Sequence, residues 1–200
     1  MPNAWLDVVR VETTVRATYE REAGARRRAV GFKADRELDS KDTWMFTDGS
    51  SKGWQSLVVL RPGKDVRLLA RAARTDTRNV GAEVAGLVSA LDAILPRERV
   101  AIVSDFLWSI YYVLGWHNVE NALLREQVAS ARELLAKRRP ASLRFIHVKG
   151  HLRDQSALGR WNDVADQLCS LGVEVDGSLP ASAFDGARSR WQRCIAPVGG

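Results

Sequence analysis

Two apolar runs that each end on an aspartate constrain this chain most. Trp44-Met45-Phe46-Thr47 leads into Asp48, and Val100-Ala101-Ile102-Val103-Ser104 leads into Asp105. Each run has the length of a buried strand, and Gly49-Ser50 supplies a turn directly after the first. Carboxylates at the carboxyl ends of two such strands sit side by side at one rim of a sheet, where open α/β folds collect their ligands. Further along, Val80, Val84, Leu87, Val88 and Leu91 recur at helical spacing and predict a helix over 79–95. Glu83 falls in its first turns, so its carboxylate leans back over the same rim. Asp166 lies on a last helix over 160–171, with Trp161, Val164, Ala165, Leu168 and Cys169 on its apolar side. Strands are also expected at 44–48, 55–61, 65–73, 100–104 and 142–148, and helices at 106–115 and 120–138. The first three strands form an antiparallel meander and the later two join through helical crossovers. This is an α/β fold with a mixed five-stranded sheet flanked by helices.

A chain with 24 acidic residues always offers some four to choose from, so the settings of these four carry the argument. Bare carboxylates crowded at one rim repel and raise one another's pKa values. They are stable together when cations are present. Carboxylate oxygens are hard ligands that suit Mg²⁺ or Mn²⁺, whereas zinc calls for Cys or His partners. Two such ions roughly 3.5–4 Å apart can activate a water and stabilise the leaving oxygen of an in-line phosphodiester displacement. His147 and His151 have metal-ligand spacing, but HVKGH runs off a strand through a glycine and does not present the pair on a helix.

The order TDGS, a Glu opening a helix, a strand ending in Asp, HVKGH, and an N-x-x-x-D helix resembles type 1 ribonuclease H, over about residues 44–172. That family cuts the RNA strand of RNA/DNA hybrids with two Mg²⁺ ions, leaving 5′-phosphate and 3′-hydroxyl ends. The resemblance implies that Asp48, Glu83, Asp105 and Asp166 hold the metals. It favours Asp166 over Asp163 because the family's last metal ligand follows an Asn by four residues, as Asp166 follows Asn162. His151 matches the family's mobile histidine, whose imidazole titrates near neutral pH. Gly49, Ser50, Asn79 and Asn162 match positions that meet the nucleic acid, and Gly49, Ser50 and Glu83 would read the 2′-OH in the shallow minor groove of the hybrid. Three departures stand out. The loop after TDGS is short, LGWHNVEN replaces a Lys- and Trp-rich basic protrusion, and the segment from His151 to Asp166 is longer than usual; Phe106 also stands where a small hydroxyl residue commonly follows the third acid. A nuclease of the same fold acting on other nucleic acid, and a silent nucleic-acid-binding module, are the alternative readings.

The net charge of +6 suits a polyanionic partner. No run approaches the ~20 apolar residues of a membrane span, and no secretory layout opens the chain. A cytoplasmic monomer with no obligate protein partner is expected. Cys169 and Cys194 suggest neither a disulfide framework nor a zinc site. Residues 1–43 read as an N-terminal extension. Val9, Val11, Thr13, Val15, Ala17 and Tyr19 alternate with polar residues, which is strand periodicity, and β-branched density opposes a helix over 4–22. A turn at Ala23-Gly24 and a return strand through Arg26, Arg27 and Arg28 would complete a basic β-hairpin. The expected catalytic domain spans 44–172. From 173 to 200 Gly, Pro and Ser become frequent, giving a partly irregular tail with a short helix at 187–195.

Overall fold

The apolar runs become strands because nearly every residue in them is enclosed. The computed structural model describes residues 9–13, 30–31, 38–73, 78–150, 156–185 and 191–195. In chain order its strands and helices are β1 (Val9–Thr13), β2 (Val30–Gly31), β3 (Thr43–Gly49), β4 (Trp54–Leu60), β5 (Val66–Ala72), α1 (Arg78–Ala93), β6 (Arg99–Ser104), α2 (Leu107–Leu114), α3 (Ala122–Lys137), β7 (Ser142–His147), α4 (Ala157–Ser170) and β8 (Val175–Leu179). Two single-turn 3₁₀ helices follow, Ala181–Phe184 and Trp191–Cys194. β3, β4 and β5 form the expected antiparallel meander, and β6 and β7 run parallel to β3.

The sheet is wider than the five strands expected. Its order is β2-β1-β7-β6-β3-β4-β5-β8. On one side β8 pairs antiparallel with β5, where an irregular segment was expected. Its sequence, Val-Asp-Gly-Ser-Leu, has weak strand propensity, and it forms because it satisfies the open edge of β5 while burying Val175. On the other side β1 pairs parallel with β7, from Val9 opposite Leu143 to Thr13 opposite His147. β1 confirms strand periodicity over 9–13 and excludes helix there. The hairpin is corrected, because β2 runs parallel to β1. The turn at Ala23-Gly24 and the three arginines lie outside the described residues.

Period-two alternation splits the side chains of the sheet between two layers. Met45, Leu57, Val59, Ile102 and Phe145 meet Leu87, Leu91 and Ile94 of α1, with α2 and α3 on the same face. Trp44, Phe46, Val58, Leu68 and Ile146 meet Leu158, Ala165 and Leu168 of α4 on the other, closed off by Trp191 from the tail. Capping fixes where the later helices begin: Asn121 accepts from the Leu124 amide and Ser156 from the Gly159 amide, each at 3.1 Å. No helix among the described residues is long and apolar enough to cross a membrane.

An ion network ties the added strand to the central ones. Asp42, just before β3, is buried and accepts from Arg144 Nη2 at 2.6 Å and pairs with Arg99 Nε at 2.8 Å. Arg144 also meets Glu12 of β1 at 3.7 Å and lies 5.2 Å over the Trp44 ring. Removing Asp42 takes from the largely enclosed Arg144 its closest partner, so Asp42→Ala should lower unfolding free energy by about 3 kcal/mol. Arg99→Ala, whose guanidinium is half exposed, should cost under about 1 kcal/mol in the same urea titration.

Candidate metal centre

The parallel register of β3 and β6 sets the first two acids. Thr47 stands opposite Ser104, so the next residues, Asp48 and Asp105, emerge together at the carboxyl rim. The third acid arrives from above. α1 crosses β3 so closely that a Cβ on Gly49 would fall 2.5 Å from the Ala82 carbonyl carbon and 2.8 Å from Glu83 Cα. A Cβ on Gly86 would lie 3.3 Å from Thr47 Cβ. Two bare glycines, one on the strand and one on the helix, bring the amino-terminal half of α1 down onto the rim. One oxygen from each of Asp48, Glu83 and Asp105 lies within 4.8 Å of the others.

Asp166, on α4, approaches this group from the side of Asp48 and is not one of the three whose oxygens converge within 4.8 Å. It is half-buried, and it hydrogen-bonds Asp48 side chain to side chain. Asp163 is half-buried one turn earlier on the same helix. Burial first, then the charges of Asp105 and Asp166, push the Asp48 carboxyl up to about 8. Burial, followed by Asp48 and Asp105, holds Glu83 well above the usual carboxylate range. The Gly49 amide opposes both shifts by donating to each carboxyl group. Glu83 Oε2 is nonetheless enclosed without a hydrogen-bond partner. An enclosed carboxylate oxygen with no donor costs on the order of 1–3 kcal/mol or more, and a hard cation would remove that cost. The donor set is all oxygen, so the residues fit Mg²⁺ or Mn²⁺.

The remaining predicted positions are spread around this cluster. Gly49 is buried, and Ser50 is half-buried with its Oγ accepting from the Trp54 amide at 3.1 Å. Asn79 is exposed at the start of α1. Asn162 is buried four residues before Asp166, with Oδ1 unpartnered. His151 lies outside the described residues.

Three neighbours have no role in the site on the sequence reading, although His147 is read there as a strand residue. Gly150 backs directly onto the Asp105 carboxylate, where a Cβ would fall 3.2 Å from Asp105 Cγ. His147 is half-buried, and its Nε2 meets the Asp105 carbonyl at 3.2 Å. A carbonyl only accepts, so the ring donates from Nε2; burial lowers its pKa. Ser56, opposite Asp48 on β4, donates from Oγ to the Ala165 carbonyl at 2.8 Å. Gly150 and His147 belong to the HVKGH motif that drew attention to His151. The only sequence signal for Ser56 is a lone hydroxyl at the head of an apolar strand.

No curated protein matches the chain. Among solved structures, it is similar to an RNase H1 from the halophilic archaeon Halobacterium salinarum NRC-1, at 18% identity and a TM-score of 0.49, covering 64% of this chain and 95% of that one. It is also similar to LC11-RNase H1, solved in complex with an RNA/DNA hybrid, at 19% identity and a TM-score of 0.49, covering 65% and 95%. A family model described as RNase H matches residues 40–174, well over half of the chain, and the chain therefore belongs to the RNase H family.

Proposed function

We propose that this protein hydrolyses the RNA strand of RNA/DNA hybrids as a metal-dependent endoribonuclease, leaving 5′-phosphate and 3′-hydroxyl ends. The observation that carries this reading is the convergence of three carboxylate oxygens within 4.8 Å, one of them from Glu83, whose enclosed Oε2 has no donor. Asp48, Glu83, Asp105 and Asp166 would hold two Mg²⁺ ions. When bound, such ions supply a nucleophilic water and stabilise charge on the phosphate.

The chain's own residues do the rest. The strand ladders and α1 fix the acids before substrate arrives, so little reorganisation is required at the moment of reaction. The backbone at Gly49 and Ser50, with Glu83, meets the 2′-OH that distinguishes RNA from DNA. Asn79, exposed at the head of α1, contacts the nucleic acid backbone, and Asn162 supports the same surface from α4. His151 moves protons or assists product departure. Hybrid selectivity and hydrolysis thus share Glu83.

A single labelled sequence, offered as RNA/DNA hybrid, RNA duplex, DNA duplex and single strands in Mg²⁺, Mn²⁺ or EDTA, should be cut only in the RNA strand of the hybrid and only with metal. Cleavage of DNA would sink the substrate assignment. Asp48→Asn should stay folded and bind hybrid while losing about 10³-fold in cleavage rate, the several kcal/mol that bound metals contribute. Cleavage near the parent rate would displace Asp48 from the site.

Metal-free stability should depend on pH with a definite sign. The Asp48 carboxyl loses its proton near 3.8 when unfolded but near 8 when folded. Stability from this group is therefore full below about pH 4 and falls as pH rises toward 8. Thermal melts in EDTA should drop between pH 5 and pH 8, Mg²⁺ should restore the loss at pH 8, and Asp48→Asn should flatten the slope. A metal-free melt that rises over this range would contradict the assignment.

A further inference from the structure

Asp166 is held differently from the other three acids. Asp48 and Asp105 are set by the paired ladders of β3 and β6, and Glu83 by the close seat of α1 on Gly49. Asp166 rides on α4, whose Leu158, Ala165 and Leu168 lie against Phe46, Val58 and Leu68. Apolar contacts are non-directional. They hold the helix against the sheet but define its position along its own axis only weakly, and each residue of slide moves a side chain by about 1.5 Å.

Two directional bonds to β4 restrict that freedom. Ser56 Oγ donates to the Ala165 carbonyl at 2.8 Å, and Cys169 Sγ donates to the Trp54 carbonyl at 2.9 Å. They bracket Asp166 along α4, one residue before it and three after. Both reach the first residues of β4, where Ser56 stands directly opposite Asp48 in the ladder. The Trp54 carbonyl also accepts from the Ser50 amide at 2.8 Å, so Cys169 joins α4 to the turn that leaves the first acid. Ser56 is 1% exposed, and a hydroxyl enclosed that completely is costly unless it is bonded.

We infer that Ser56 and Cys169 are positioning residues that fix the register of Asp166 against Asp48, and through it the affinity of the acidic cluster for divalent cations. The inference rests on the proposed reading of these acids as metal ligands. Both residues act through backbone carbonyls, so substrate binding should be insensitive to them once metal is saturating.

Calorimetric titration of Mn²⁺ into the full chain tests this, together with the Mg²⁺ concentration giving half-maximal cleavage. Ser56→Ala and Cys169→Ala should each weaken Mn²⁺ binding by about tenfold, the low end of what supporting groups contribute to a metal site. Cys169→Ser, which keeps a donor, should stay within about threefold, and KM for hybrid at saturating metal should hold within about twofold for all three. In an Asp166→Asn background Ser56→Ala should add little, because the two changes act on one contact. Parent-like Mn²⁺ affinity in both alanine variants, equal losses in Cys169→Ser and Cys169→Ala, or full additivity with Asp166→Asn would overturn the inference. A parent protein that binds Mn²⁺ but cuts no hybrid would instead overturn the proposed activity, with the calorimetric test still standing.

Discussion

The rim of this sheet is governed by the cost of packing negative charge where water cannot screen it. Asp48 is 7% exposed and Glu83 2%, and at such sites each pairwise repulsion is several times its value in water. Only a rigid frame holds acids in that state. Parallel strand pairing supplies part of it and the bare glycine contact between β3 and α1 supplies more. The neighbouring hydroxyls are internally satisfied: Thr47 Oγ donates to the Val103 carbonyl and Ser104 Oγ accepts from the Phe106 amide. These hydroxyls are thus spent on the frame, and an enclosed oxygen without a donor is left at Glu83 Oε2.

The added strands serve that frame. Without β1, β7 would present an open edge two places from β3, and without β8, β5 would do so on the other side. Open edges invite pairing with other chains. β1 also delivers Glu12 to Arg144, which already bridges to Asp42 at the foot of β3. Charge is therefore treated in opposite ways at the two ends of β3. At the foot, anions and cations are interleaved in ion pairs; at the rim, acids are gathered against one another.

Much of this was legible because burial leaves plain marks. Continuous apolar runs identified β3 and β6, helical spacing identified α1 and α4, and a carboxylate at the end of an enclosed strand is conspicuous. What failed to show was pairing. Alternation over 9–13 announces a strand but names neither its partner nor its direction, so a hairpin was expected where β1 in fact joins β7. β8 was hidden because Asp176 and Gly177 are poor strand residues, recruited by an edge that lies far away in sequence. The supports of the site were hidden for the same reason. Ser56 bonds a carbonyl 109 residues away, and Gly150 matters only because Asp105 folds against it. Local pattern cannot reveal a role that exists only after the sheet has closed.

The hydrogen bond between the Asp48 and Asp166 side chains carries one more consequence. Two carboxyl groups can share such a bond only if one of them keeps its hydrogen. On the proposed reading, a cation entering between them would have to expel it, an exchange rather than a simple capture. Across the range below about pH 8 in which Asp48 stays protonated, the hydrogen ion competes for the same oxygens. On that reading, the hold of these acids on a metal would be set jointly by the supply of cation and the acidity of the solution around it.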